Sequence, residues 1–307
     1  MSSGIRTQLT AFENDLNPAN ISACKYAEVI GYGEISSIFS LSHFHDLAFK
    51  RLPLFDHRDA AIQYQTIYDN YCHLLSEAGL NIPQDETQIL EPVDGPTVLY
   101  ICQKKYKSES FAHKLIHTLD DCQIQILFKR IVTEIEKVWE YTQNNTPGTE
   151  LALDGQLSNW VLEGDLNTGQ LYYIDTSTPL YRVHRKEQLD TELFLKSAMP
   201  GLRWIIRKFF IKEVINRYYN FRSVMTDLTA NLYKEQRPKL IPMALKIINT
   251  SRWMSSKSLS ESEVYSYYQE DKRIWQIVQL SRRFHRWITT RIMQKRYEFL
   301  LPDQIER

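Results

Sequence analysis

The chain has 307 residues, 43% hydrophobic and 12% aromatic, which is enough apolar material for a sizeable core and too much for a disordered chain. Lysine plus arginine and aspartate plus glutamate both number 37, so the formal net charge is zero and no global field points to nucleic acid or membrane. No apolar run is long enough to span a bilayer, the opening MSSGIRTQLTAFEND carries no secretory pattern, and Cys24, Cys72, Cys102 and Cys122 show neither metal-site nor disulfide spacing. A cytoplasmic protein with reduced, mostly buried thiols is the expectation, built as one large domain or two lobes.

Residues 1–22 are polar and are expected to form a loose lead-in. Tyr26–Ile30 and Ile38–Leu41 read as strands around a glycine-containing turn, Gly31 to Ser37. A third strand, Leu47–Leu52, carries Lys50, 17 residues after Gly33. Glycine lets a backbone approach a phosphate closely. A Gly-x-Gly between two strands, with no helix after it, points away from a dinucleotide fold. Residues 57–79 predict a helix, with Tyr64, Tyr68, Tyr71, Leu75 and Ala78 at spacings of three and four and Gly79 as its stop. Gln65 and Asp69 are its polar inner-face candidates. Residues 87–90 and 97–103 flank an Asp94-Gly95 turn and predict a hairpin. Residues 23–103 thus form a small sheet with one helix, and the polar stretch 104–110 links it to the helical remainder of the chain.

Residues 111–143 predict one helix, ended by Asn144 to Gly148. His113 and His117 lie four apart on it, but no carboxylate completes a ligand set. Next come Asp154, then Asn159, the apolar strand Trp160-Val161-Leu162, a polar turn, a second apolar strand Leu171–Ile174, and Asp175. Folded as a hairpin, this stretch brings Asn159 and Asp175 together. Magnesium takes oxygen ligands and keeps several waters, so one carboxylate and one amide, with phosphate oxygens, suffice to hold it. A further carboxylate can orient a hydroxyl and accept its proton.

The rest predicts mainly helix: residues 194–219 with a break at Pro200-Gly201, an apolar segment 240–248, a serine-rich linker 254–263, and a long basic amphipathic helix 270–300. Ile277, Leu280, Phe284, Trp287, Ile288 and Ile292 make one face of that helix, and no acid occurs between Asp271 and Glu298. It either packs on the body with a solvated polar face or contacts an anionic partner, a nucleic acid or an acidic membrane surface.

The collinear order Gly31-Tyr32-Gly33, Lys50, Asp154, Asn159, Asp175 resembles the protein-kinase-like superfamily, nearest its aminoglycoside and choline phosphotransferase branch. The resemblance implies an α+β, two-lobed protein-kinase-like fold with a small antiparallel-sheet N-lobe and a mainly helical C-lobe, residues 111–307. It implies ATP and magnesium as cofactors. Gly31, Tyr32, Gly33 and Ser36 would cover the phosphates, Lys50 would hold them, and adenine would meet backbone groups near Cys102 to Lys104. Gln65 or Asp69 would stand in for the glutamate that pairs with the strand lysine. Asp154 would be the catalytic base, with Asn159 and Asp175 on the metal. No Ala-Pro-Glu stretch follows Asp175, so the acceptor is expected to be a small molecule rather than a protein. Ala152-Leu153 stands where the family has histidine or arginine before the base, and Thr176-Ser177 follows the metal aspartate. These departures admit a second reading, a catalytically inactive pseudokinase or nucleotide-binding interaction module. A third, a helical interaction protein that binds no nucleotide, would be supported by an ordinary hairpin turn at Gly31-Tyr32-Gly33 with Lys50 facing solvent.

Overall fold

The computed structural model describes residues 2–18, 21, 27–33, 35–93, 95–144, 148–196, 212–254 and 257–301. They form a mixed α+β structure whose sheet has five antiparallel strands: β1 (Ala27–Tyr32), β2 (Ser37–Leu41), β3 (Phe44–Phe55), β4 (Asp85–Leu90) and β5 (Thr97–Lys104), in the order β1-β2-β3-β5-β4. β3 is central, with Lys50 opposite Ile38 on β2 and Ile101 on β5. Side chains alternate between the faces of a strand, so neighbouring residues serve two different cores.

One core is closed by α1 (Ser2–Asp15), where a loose lead-in was expected. Ile5, Leu9, Phe12 and Leu16 are buried against Phe39, Phe49, Tyr100 and Cys102. Their spacing of four, three and four is the helical period, which the polar residues between them mask. The other core is closed by α2 (Arg58–Glu77), which buries Ala61, Tyr64, Tyr68, Tyr71 and Leu75. His57 caps this helix by accepting from the Ala60 N–H, and Gly79, at φ +83°, ends it in the left-handed region.

The single helix expected over 111–143 is two, α3 (Ala112–Thr118) and α4 (Asp121–Asn144). Asp120 stops the first and caps the second: its carboxylate accepts from the Gln123 N–H, and the Gln123 side chain accepts in return from the Asp120 N–H. Three short strands, β6 (Thr149–Leu151), β9 (Tyr181–Val183) and β10 (Lys186–Glu187), make a second sheet, and β7 (Trp160–Glu163) pairs with β8 (Gln170–Tyr173) as a hairpin in the register Trp160 to Tyr173. Arg130 of α4 holds the hairpin turn through the carbonyls of Leu166 and Gly169. Then come α5 (Glu192–Lys196), α6 (Lys212–Tyr218), α7 (Phe221–Lys234), α8 (Ile241–Ile248) and α9 (Glu261–Trp287). The expected break at Pro200-Gly201, and Cys24, lie outside the described residues.

The helix expected over 270–300 starts earlier and stops earlier. Its start is a capping box between Ser260 and Glu263, inside the expected serine-rich linker. After Trp287 comes one π turn, Ile288–Ile292, and then Gln294 at φ 53° turns the chain into an irregular segment. Tyr297, Phe299 and Leu301 are buried in the α2-side core, while Leu300 enters the α1-side core. That alternation has the period of a strand, so the end of the segment cannot sit on the sheet as a helix. Among the described residues no helix is long and apolar enough to cross a membrane.

Both terminal segments meet at Arg51, which faces the α1 side of β3. Its guanidinium donates to Glu13 at 2.9 Å through Nε and 2.5 Å through Nη2. It also donates to the Glu298 carbonyl and carboxylate, each at 2.9 Å. Tyr100 gives Glu13 a further hydrogen bond.

Candidate functional site

The opposite face of β3 presents Lys50. The side chain is buried, at 3% exposure, and its Nζ donates to the Ile174 carbonyl at 2.7 Å, with Asp175 Oδ1 3.9 Å away. A residue of the sheet and one beyond the β7–β8 hairpin, far apart in sequence, thus share one site. Burial lowers the Lys50 pKa, and the charges of Asp175 and, more weakly, Asp85 oppose that. Lys50 does not face solvent, so this part of the support for the reading without nucleotide is absent.

Neither expected helix partner hydrogen-bonds Lys50. Gln65 donates to Thr87 Oγ1 at 2.5 Å, and Asp69 has a raised pKa through partial burial and the neighbouring Asp85 charge. Both lie one position past the buried tyrosines, and one residue along a helix is a turn of about 100°. The inward face of α2 carries hydroxyls instead. Tyr64 donates to the Ser177 carbonyl at 2.5 Å and Tyr71 to the Ala152 carbonyl at 2.9 Å. Tyr68 donates to Asp85 at 2.6 Å and lies 3.3 Å from Thr176 Oγ1. Three tyrosines therefore clamp the strands around Asp154 and Asp175, where an ion pair was expected.

Asp154 sits in a loop whose backbone is held from several sides. Its N–H donates to the Tyr173 hydroxyl at 3.2 Å, and its Oδ1 accepts from the Gln156 N–H at 3.1 Å. The Asn159 amide donates to the Asp154 carbonyl at 3.1 Å, which leaves the Asn159 side-chain oxygen as its group for a cation. The Ile174 N–H donates to the Asn159 carbonyl at 2.9 Å, so Asn159 and Asp175 are brought together across the hairpin. Ser177 donates to Asp175 Oδ1 at 3.0 Å. At Gly155 a Cβ would lie 2.8 Å from Val224 Cγ1, so α7 approaches the loop more closely than any side chain allows.

α7 also brings residues that sequence reasoning missed. Asn231 accepts from the Leu157 N–H at 2.9 Å and donates to the Asp227 carbonyl. Asp227 lies 3.7 Å from Lys234, which also pairs with Asp271 at 3.1 Å. Burial pushes the Asp154 carboxyl well above the ordinary aspartate range, and the charges of Asp227 and Asp175 push it further. The available signal was the i, i+4 pair Asp227 and Asn231 on a face otherwise made of Val224, Met225, Leu228 and Leu232.

Gly31 and Tyr32 end β1, paired with Ile38 and Ser37 of β2, and the connection beyond them is closed by the Gly33 N–H donating to the Ser36 carbonyl at 2.9 Å. Tyr32 is exposed, Ser36 is buried, and Ile35 anchors the turn in the α2-side core. Cys102 faces away from Lys50: Ile101 occupies the Lys50 face, so the next side chain points to α1. Its backbone lies between β3 and β4, paired with Phe49 and Glu86. Gln103 returns to the Lys50 face, and its buried Oε1 has no hydrogen-bond donor among the described residues. Lys104 ends β5 and bonds Glu163 of β7 at 2.5 Å, linking the sheet to the hairpin. His113 is partly buried, with a pKa lowered to about 4 chiefly by burial, and His117 lies 3.7 Å from Glu235; among the described residues no cluster of three His, Cys, Asp or Glu side chains could hold a metal ion.

Replacing Lys50 with Met is expected to change stability by less than about 1 kcal/mol at neutral pH, because Asp175 reaches solvent. In the native protein the folded Lys50 pKa lies below the ordinary lysine value of 10.5. The unfolded chain therefore binds more protons between the two values, and stability rises with pH through that window. Urea midpoints measured up to the ordinary lysine pKa should show this rise in wild type and not in the variant.

No curated protein matches the chain. Residues 25–286 match the model of a family described as a family of unknown function (DUF6206), and since the match covers most of its length the chain belongs to that family.

Proposed function

We propose that the protein is an ATP- and magnesium-dependent phosphotransferase of two-lobed, kinase-like fold that acts on a hydroxyl of a small molecule. The observation that carries this reading is the approach of Lys50 to Asp175, 3.9 Å, beside the loop of Asp154 and Asn159. Lys50 on the central strand supplies a buried cation for phosphate oxygens, which the end of β1 and its connection to β2 would cover. Asp175 and the Asn159 side-chain oxygen fit magnesium, which needs few protein ligands when phosphates complete its shell. The bound ion would neutralise charge on the transferring phosphate. The unpartnered Gln103 acceptor on the Lys50 face suits an exocyclic amine such as adenine carries. Asp154, with its pKa raised, is poised to hold the proton of an acceptor hydroxyl.

A non-catalytic nucleotide-binding module is the second reading. It is favoured by α2, which offers tyrosines where a glutamate would fix the lysine for transfer.

Thermal unfolding with ATP, with and without magnesium, tests both. At a hundred times the dissociation constant a ligand stabilises the native state by roughly 2.7 kcal/mol, a shift of about 5 °C. The expected shift needs magnesium and disappears in Asp175→Ala and Lys50→Met. A shift indifferent to magnesium supports the second reading, and none with any nucleotide sinks both.

A further inference from the structure

We propose that the outer face of α9 and of the π turn after it docks flat on an anionic lipid surface. This surface is independent of the phosphoryl-transfer reading and lies on other residues. Ile277, Leu280, Phe284, Trp287 and Ile292 are each more than half exposed. The first four follow spacings of three, four and three, which aligns them in a single seam along the helix. In an unbroken α-helix the next place in that seam would fall to Arg291. The π turn at Ile288–Ile292 adds one residue to the turn and gives the place to Ile292, with Met293 exposed beside it. The polarity of this half of the helix is inverted. Arg282 is buried and the side-chain amide of Gln279 is enclosed, while the large apolar groups point to solvent. Phe284 and Trp287 stack on each other at the surface, with ring centres 5.9 Å apart and planes 13° from parallel.

Charge identifies the occupant. From Lys272 to Tyr297 there are eight lysines and arginines and no aspartate or glutamate. Arg273, Arg286, Arg291 and Lys295 are exposed along this arm, Arg273 in line with the seam. The rest of the chain balances this charge, so the field is local to this arm. Two copies pressed together along the seam would bring these cations against each other, which disfavours self-association. An apolar stripe with aromatic residues, flanked by arginine and lysine on one helix, is the pattern of a helix lying in the interface of a bilayer. Anionic headgroups attract the cations within a Debye length, and the seam then enters the acyl boundary.

The test is co-sedimentation of the full chain with phosphatidylcholine vesicles, pure or containing roughly one-third phosphatidylserine. Binding at least tenfold tighter to the anionic vesicles, and weakened by salt, is expected. Combined Leu280→Ser, Phe284→Ser and Trp287→Ser substitutions should abolish it without moving the thermal midpoint, and Arg286→Glu with Arg291→Glu should do the same. Val93→Ser, at an exposed apolar site elsewhere (96% exposed), should bind as wild type. Equal or absent binding to both vesicle types would overturn the proposal. So would binding that the serine variant keeps and the glutamate variant loses, since any polyanion would satisfy that contact. Concentration-dependent dimers in sedimentation velocity, lost in the serine variant and without vesicle binding, would assign the seam to a second copy instead.

Discussion

Replacing Arg51 with alanine is expected to destabilise the fold by about 3–5 kcal/mol, a fall in thermal midpoint of roughly 6–10 °C. The substitution leaves the Glu13 carboxylate at 2% exposure with its bidentate partner gone. It also frees Glu298, which fastens residues 297–301 to the sheet. The pH dependence should change sign with it. In wild type, burial raises the Glu13 pKa, but the hydrogen bonds and charge of Arg51, with the Tyr100 hydrogen bond and the Arg296 charge, together outweigh burial and leave it below the ordinary glutamate value of 4.5. The stability this contributes is fully present above that value and is lost as pH falls through the folded pKa. Without Arg51, burial prevails and the Glu13 pKa rises. The variant should therefore regain stability relative to wild type on mild acidification. Urea midpoints of both proteins from neutral to acid pH check this, and parallel curves would show that Arg51 does not set the Glu13 charge.

Asp154→Asn is expected to reduce phosphoryl transfer, read as ATP turnover with hydroxyl-bearing acceptors, by about 10²–10⁴-fold while the nucleotide-induced thermal shift persists. Asp227→Asn should act differently. After burial, the Asp227 charge is the largest cause of the raised Asp154 pKa. Removing its charge should move the acid limb of the pH–rate profile to lower pH with turnover retained at its plateau. The stability consequence has the opposite sense to that of Glu13. A carboxyl raised in the folded state favours folding fully below its unfolded pKa, and that advantage is lost as pH rises through the folded value. Asp227→Asn should lessen this loss. An unmoved acid limb would mean that Asp227 serves Lys234 and Asp271 rather than Asp154.

Legibility in the sequence followed how local each signal was. The β7–β8 hairpin was readable because two apolar runs flank a polar turn, and hairpin geometry then fixes which ends meet. The position of Lys50 in an apolar strand was readable for the same reason. Its surroundings were not, because they come from residues 174 and 175 and from a helix whose facing is settled by packing. Gln65 and Asp69 drew attention as polar residues, yet the site is lined by Tyr64, Tyr68 and Tyr71, which reads in sequence as plain core. α1 was lost because four buried residues in a polar segment carry a weak average and a clear period. Asp227 was lost because the pair it makes with Asn231 is a common surface pattern, and only packing puts that face against the Asp154 loop.

The two-sided grip on Arg51 bears on the order of events during synthesis. Strands β1 to β5 leave the ribosome long before residues 297–301, and domains generally fold as they emerge. Yet the guanidinium buried on β3 takes one of its carboxylates from residue 13 and the other from residue 298, 247 positions downstream. A nascent sheet thus carries a cation matched by Glu13 alone and an apolar face not yet covered by Tyr297, Phe299 and Leu301 until residues 297–301 have also been made. Folding of the sheet is completed by residues translated well after it, so a premature stop before residue 297 would leave β3 without part of its cover.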